Sequence, residues 1–317
     1  MDGLRNFGTI FISLILEGFP FLIIGALVSS VIQLMVSDDT IGKLRVKSKF
    51  LSLLIMALAG IVFPVCECAI VPIVRRLVKK GMPVGMAVTF MTAVPIVNPV
   101  VFMSTYYAFL GHTYMAFLRI GLGILCSMAI GFLVGELTSG DPLRNSQHMH
   151  HEESCDCHHH GHHHGHCDEH CHGEEEEGKL KGLISHVSEE FYEIGRFFIF
   201  GSLLSSTFQT FIPREYILKI GGGQISSIIV MMLMAFVLSI CSETDAFIGR
   251  SFFNQFTGSS VMAFLIFGPM IDIKNTVMLM SNFKLNFVAK LVFVIVAVTF
   301  LAAAALSLIP AAAVGWR

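Results

Sequence analysis

The chain has 317 residues, 54 % of them hydrophobic and 14 % charged, with a mean hydropathy of +0.72. That balance excludes an ordinary soluble domain and points to a polytopic membrane protein whose charge collects in loops. A formal net charge of −2 gives no reason to expect a nucleic-acid partner or an acidic soluble substrate.

The N-terminus, Met1 to Asn6, leads into an apolar run that is interrupted by Glu17 and Pro20 and reaches about residue 35. The run is too long for a cleaved signal peptide, so it is expected to be an uncleaved first span. Further apolar segments fall near 50–74, 84–110 and 114–137, then near 189–212, 225–249, 258–282 and 284–313. The expected fold is an all-α polytopic membrane protein of about eight transmembrane helices in two four-span repeats with Pro-broken helices. Residues 1–137 form the first repeat, 138–187 a polar His/Cys-rich loop expected to be disordered, and 188–317 the second repeat.

The second segment contains Phe63-Pro64-Val65-Cys66-Glu67-Cys68-Ala69-Ile70-Val71-Pro72. An acid at mid-depth in hydrocarbon costs roughly 2.5 kcal/mol or more and is usually kept for a task. On a regular helix Cys66 and Cys68 lie about 200° apart and cannot grip one ligand. The flanking prolines favour an unwound stretch in which both sulfurs and the Glu67 carboxylate converge. The simpler alternative is that the cysteines are small apolar packing residues.

The two halves look like copies. Glu17 precedes Gly25 by eight residues, as Glu193 precedes Gly201. Cys66 follows Glu17 by 49 residues and Cys241 follows Glu193 by 48; Pro95 follows Cys66 by 29 and Pro269 follows Cys241 by 28. Repeats with interrupted helices at matching positions are the sequence mark of a transporter site near the bilayer midplane. Four crossings per repeat make the halves parallel, whereas a re-entrant Cys-containing segment makes them inverted; the sequence leaves both open.

The second half supplies Cys241-Ser242-Glu243-Thr244-Asp245. Facing the first site, it makes a chamber of Cys66, Glu67, Cys68, Cys241, Glu243 and Asp245. Soft sulfur favours thiophilic ions such as Cu(I), Zn(II) or trivalent arsenic, and buried carboxylates are natural proton carriers. Glu243 and Asp245 could instead cap a broken helix. Thr92 to Pro99 is a further interruption, in which Asn98 either lines the path or satisfies backbone freed by the prolines. Its counterpart, Gly268 to Asn275, places Asp272 three residues past Pro269, with Lys274 as a partner or a snorkelling side chain. Glu17 and Glu193 are matched candidates for the pathway.

Residues 148–172 hold 12 of the 14 histidines. Cys155, Cys157, His158, His159, His160, His162, His163, His164, His166, Cys167, His170, Cys171 and His172 make this tract a candidate site for zinc or another transition metal, as buffer, sensor or delivery arm. No cofactor is required by the membrane part. The basic residues favour both termini and the loop on the cytoplasmic side of the cell membrane.

The stretches at 63–77, 81–91, 92–99 (Thr-Ala-Val-Pro-Ile-Val-Asn-Pro) and 241–247 (Cys-Ser-Glu-Thr-Asp-Ala-Phe) resemble the bacterial predicted-permease family that includes the ArsP-type organoarsenical efflux permeases. The resemblance covers nearly all the hydrophobic chain. It implies a plasma-membrane permease of about eight spans and, for the ArsP branch, export of trivalent organoarsenicals. The expectation is therefore a secondary permease, not an enzyme, since no Walker motif is present and a Cys-x-Cys pair without thioredoxin-like context is a weak redox signal. Its partners are the bilayer, a small metalloid or metal substrate, and protons. The alternative is transport or sensing of a divalent metal such as zinc through the His-rich loop.

Overall fold

The computed structural model describes residues 2–35, 48–62, 67–144, 174–211 and 223–308. Its first half runs α1 (Asp2–Met35), α2 (Lys49–Leu58) with a 3-10 turn (Ala59–Ile61), α3 (Glu67–Lys79), α4 (Val84–Val97), α5 (Pro99–Ala108) and α6 (Tyr114–Leu137). The second repeats that order as α7 (Glu174–Phe211), α8 (Gln224–Leu238), α9 (Asp245–Phe252), α10 (Gly258–Met270), α11 (Ile273–Asn282) and α12 (Leu285–Leu308). The all-α polytopic class holds. Among the described residues Leu4–Ser29, Tyr114–Leu137, Gly258–Asn282 and Leu285–Leu308 are long and apolar enough to cross a bilayer, and α4 with α5, bent by 41°, makes a fifth. Phe117, Leu125 and Phe132 on α6 and Phe293 and Leu301 on α12 are exposed, as a lipid-facing surface requires.

The Cys-containing segments do not cross. Lys49 pairs with Glu136 beside Gly85, while Gly60 lies against Val94, so α2 runs parallel to α4 from the Lys49 end towards mid-depth. Helix α3 then returns: it starts at Glu67, buried inside the bundle, and Val78 is back beside Val84, Pro142 and Phe283. At ~1.5 Å per residue neither α2 nor α3 spans a hydrocarbon core of about 30 Å, and the pair forms a hairpin that enters and leaves at one end.

The second half does the same from the opposite end. Ser227 bonds Ser260 and Ala235 lies beside Gly268, so α8 runs parallel to α10. Helix α9 returns, with Phe252 edge-on to Phe264 and Phe253 edge-on to Phe109 and tilted against His112. The halves are thus inverted, each with a long first helix, a hairpin, a broken span and a final span. The two Cys-containing segments, expected from hydropathy to be single spans, are short-armed hairpins, because hydropathy alone cannot tell one long span from two short apolar arms.

Three close approaches hold helices together. A Cβ on Gly85 would lie 2.7 Å from the Gly131 carbonyl, so α4 and α6 touch through small residues, as membrane helices commonly do. A Cβ on Gly25 would lie 2.5 Å from that of Ala69, and one on Gly201 2.9 Å from the Cα of Lys274. These matched glycines seat α1 on α3 and α7 on α11, directly beside the site.

Candidate functional site

Four helix N-termini come together inside the bundle: α3 and α9 from the hairpins, and α5 and α11 from the broken spans. The breaks have local causes. Pro99 pushes Asn98 out of the helical region (φ −58°, ψ 131°), ending α4 and starting α5. The Asn98 side chain accepts from Val100 N at 2.9 Å, so of its two expected roles it fills the backbone-satisfying one. Asp272 caps α11 in the same way, accepting from Asn275 N at 2.6 Å. Helix α8 ends at Ser239, a buried residue with φ 46°, a costly conformation for a side-chain-bearing residue. Of the prolines expected to unwind their segments, Pro64 lies outside the described residues, while Pro72 lies inside α3, Pro95 inside α4 and Pro269 inside α10. In the broken spans the turns follow them by two or three residues.

Glu67, the first residue of α3, is 1 % exposed, and neither carboxylate oxygen has a hydrogen-bond partner. Its charged neighbour is Lys274, whose Nζ lies 3.9 Å from Glu67 Oε1 and 3.7 Å from Asp272 Oδ2. Glu67 interacts electrostatically with Asp272, Lys274, Cys68 and Asp245, and Cys241 with Glu67 and Glu243. The hairpin tips therefore face one another within electrostatic reach. Glu17 joins them from α1, accepting from Thr244 Oγ1 at 3.1 Å.

At the second tip, Cys241 Sγ donates to Glu243 Oε2, and Ser104 Oγ donates to the Glu243 carbonyl. Asp245, 2 % exposed, does not cap α9 with its side chain; its Oδ2 accepts from Arg119 Nη2 at 2.8 Å. Arg119 is the residue that sequence reasoning missed. A lone arginine near the start of an apolar span reads as an interfacial side chain, and the only available signal was that no acid lies within a helical turn of it.

The site therefore gathers Glu17, Glu67, Cys68, Cys241, Glu243, Asp245 and Asp272, with Asn98 at the neighbouring break. Cys66 lies outside the described residues, as does the side chain of Glu193, whose backbone is in α7. The tract from Cys155 to His172 also lies outside them. Among the described residues no three His, Cys, Asp or Glu side chains form a group able to hold a metal ion. The described residues offer buried carboxylates, two thiols and two cationic side chains at the meeting of two half-helices.

A family model described as a predicted permease, ArsP_1, matches residues 3–308. The chain is 41 % identical over 290 residues to the UPF0718 protein YcgR of Bacillus subtilis (strain 168), covering 92 % of this chain and 93 % of that one. It is 35 % identical over 283 residues to a putative two-component membrane permease complex subunit of Streptococcus mutans serotype c, covering 89 % of each. No solved structure matches. With almost its whole length matched, the chain belongs to the ArsP_1 predicted-permease family and is a multi-pass membrane permease.

Proposed function

We propose that this permease is a secondary transporter exporting a thiophilic metalloid or metal species, such as a trivalent organoarsenical. One observation carries the reading: two hairpins entering from opposite ends bring a thiol and a carboxylate each, the buried Cys68 and Glu67 and the buried Cys241 with the half-buried Glu243, to one place. Sulfur supplies soft donors, and inverted halves around a central site supply a route to alternating access. Cys66, two residues from Cys68, is the natural additional donor.

The orientation follows the basic residues. Among the described residues Lys49, Arg75, Arg76, Lys79, Lys80, Arg144, Lys284 and Lys290 lie at the end from which the first hairpin enters, against Arg5 and Arg250 at the other. This reading places the first end, and with it the His-rich loop, in the cytoplasm. Because each half crosses three times, both termini then lie outside, opposite to the sequence expectation.

A second reading, transport or sensing of a divalent metal such as zinc, is favoured by the composition of residues 148–172. The name of the streptococcal relative adds a second subunit as a partner to test. Uptake of a panel of trivalent arsenicals and of Zn(II), Cu(I) and Cd(II) into everted vesicles decides between them. Accumulation of a trivalent arsenical supports the first reading, accumulation of zinc alone supports transport under the second, and transport of none overturns the first and leaves only metal sensing of the second.

A further inference from the structure

Arg119 lies in the first turns of α6, 1 % exposed within an otherwise apolar run. Its Nη1 donates to Thr105 Oγ1 at 2.7 Å, and its Nη2 donates to Asp245 Oδ2 at 2.8 Å and to the Ser242 carbonyl at 3.3 Å. Thr105 belongs to the same half as Arg119. Ser242 and Asp245 belong to the tip of the other half's hairpin, where Glu243 lies between them and Cys241 immediately precedes Ser242. Ser104, also of the first half, donates to the Glu243 carbonyl. The second hairpin tip thus hangs from donors of the first half.

The opposite tip has the reciprocal arrangement, with Glu67 of the first half facing Lys274 of the second. Stability alone is a poor explanation for these pairs, since a buried ion pair is commonly no better than a packed apolar one. The Arg119 pair also leaves Arg119 Nε and Asp245 Oδ1 without partners, which a purely stabilising network would avoid. A guanidinium is suited to holding several acceptors at fixed angles, which a lysine ammonium does less well.

We propose that Arg119 is a positioning residue that fixes the Cys241–Glu243 tip in the translocation site, with Lys274 holding the Glu67 tip in return, so that each half sets the geometry of the other's hairpin. Its relevance to transport rests on the permease reading above; the hold itself is measurable without transport.

The test is the rate of N-ethylmaleimide labelling of individual cysteines in the full-length protein, reconstituted in lipid and resolved by peptide mass spectrometry. The charge-neutral Arg119→Gln/Asp245→Asn variant avoids an unpaired buried charge and keeps the test open if Arg119→Gln alone fails to fold. In it, labelling of Cys241 should rise about tenfold, the change that ~1.4 kcal/mol of lost hold produces. Arg119→Lys should give a smaller rise. Cys126, buried on the same helix, should label at the wild-type rate. An unchanged Cys241 rate overturns the proposal, as does an equal rise at Cys126, which would mean general loosening. Failure to transport any probe would remove the proposed export function and leave this result standing.

Discussion

The Lys274 ammonium lies 3.9 Å from the Glu67 carboxylate, pairing the tip of the first hairpin with the broken span of the opposite half. Both side chains are buried, and at that separation the contact is an ion pair without a hydrogen bond. Breaking a buried pair by removing one partner costs about 3–5 kcal/mol, because the other charge is stranded, whereas neutralising both is far milder. Lys274→Met should therefore lower membrane abundance and the melting temperature of the purified protein more than Glu67→Gln/Lys274→Met does. Equal melting temperatures would show that the pair contributes no net interaction.

Glu67→Gln alone should abolish transport while the protein still inserts, and Glu243→Gln should do the same from the second tip. Each removes a charge at the meeting of the hairpins and leaves backbone geometry alone. Vesicle transport measured at matched membrane abundance checks this, and wild-type rates in both variants would remove the paired-site reading.

The thiols separate coordination from packing. Cys68 and Cys241 are both buried, and serine nearly matches their volume while binding soft ions poorly. Cys68→Ser and Cys241→Ser should each cut transport of a trivalent arsenical by about tenfold or more, equivalent to ~1.4 kcal/mol of lost binding. Normal transport of that probe by both variants would assign recognition to the carboxylates instead.

Asn98 and Asp272 occupy equivalent cap positions but differ in charge. Asn98→Ala should cost about 1 kcal/mol of stability, the usual value of a helix cap, and spare most transport. Asp272→Asn keeps a capping side chain but removes a charge beside Lys274, so it should reduce transport with little loss of melting temperature. The reverse pattern would make Asn98 the functional member.

Topology gives a direct measurement. Deleting residues 148–172 should leave the permease in the membrane, because the tract adds no apolar surface to a core. Epitope tags at the two ends of the chain should be reachable on intact cells, and a protease site within the tract should be cut only in everted vesicles. Tags and protease site on one side would restore the even number of crossings per half that hydropathy suggested.

By itself the sequence determined the helical membrane class, the two matched halves, the breaks near Asn98 and Asp272, and the burial of Glu67. These follow from local causes: apolar length, a proline after Asn98, and acids inside apolar runs. Only the tertiary structure decided that the Cys-containing segments turn back and that the halves are inverted. An apolar run of about 25 residues has the same composition whether it crosses ~30 Å once or goes in and out as two short arms. Tertiary structure also assigned Arg119 to Asp245 and Lys274 to Glu67. Each pair joins opposite halves of the chain, and no local periodicity records which buried charge will meet which.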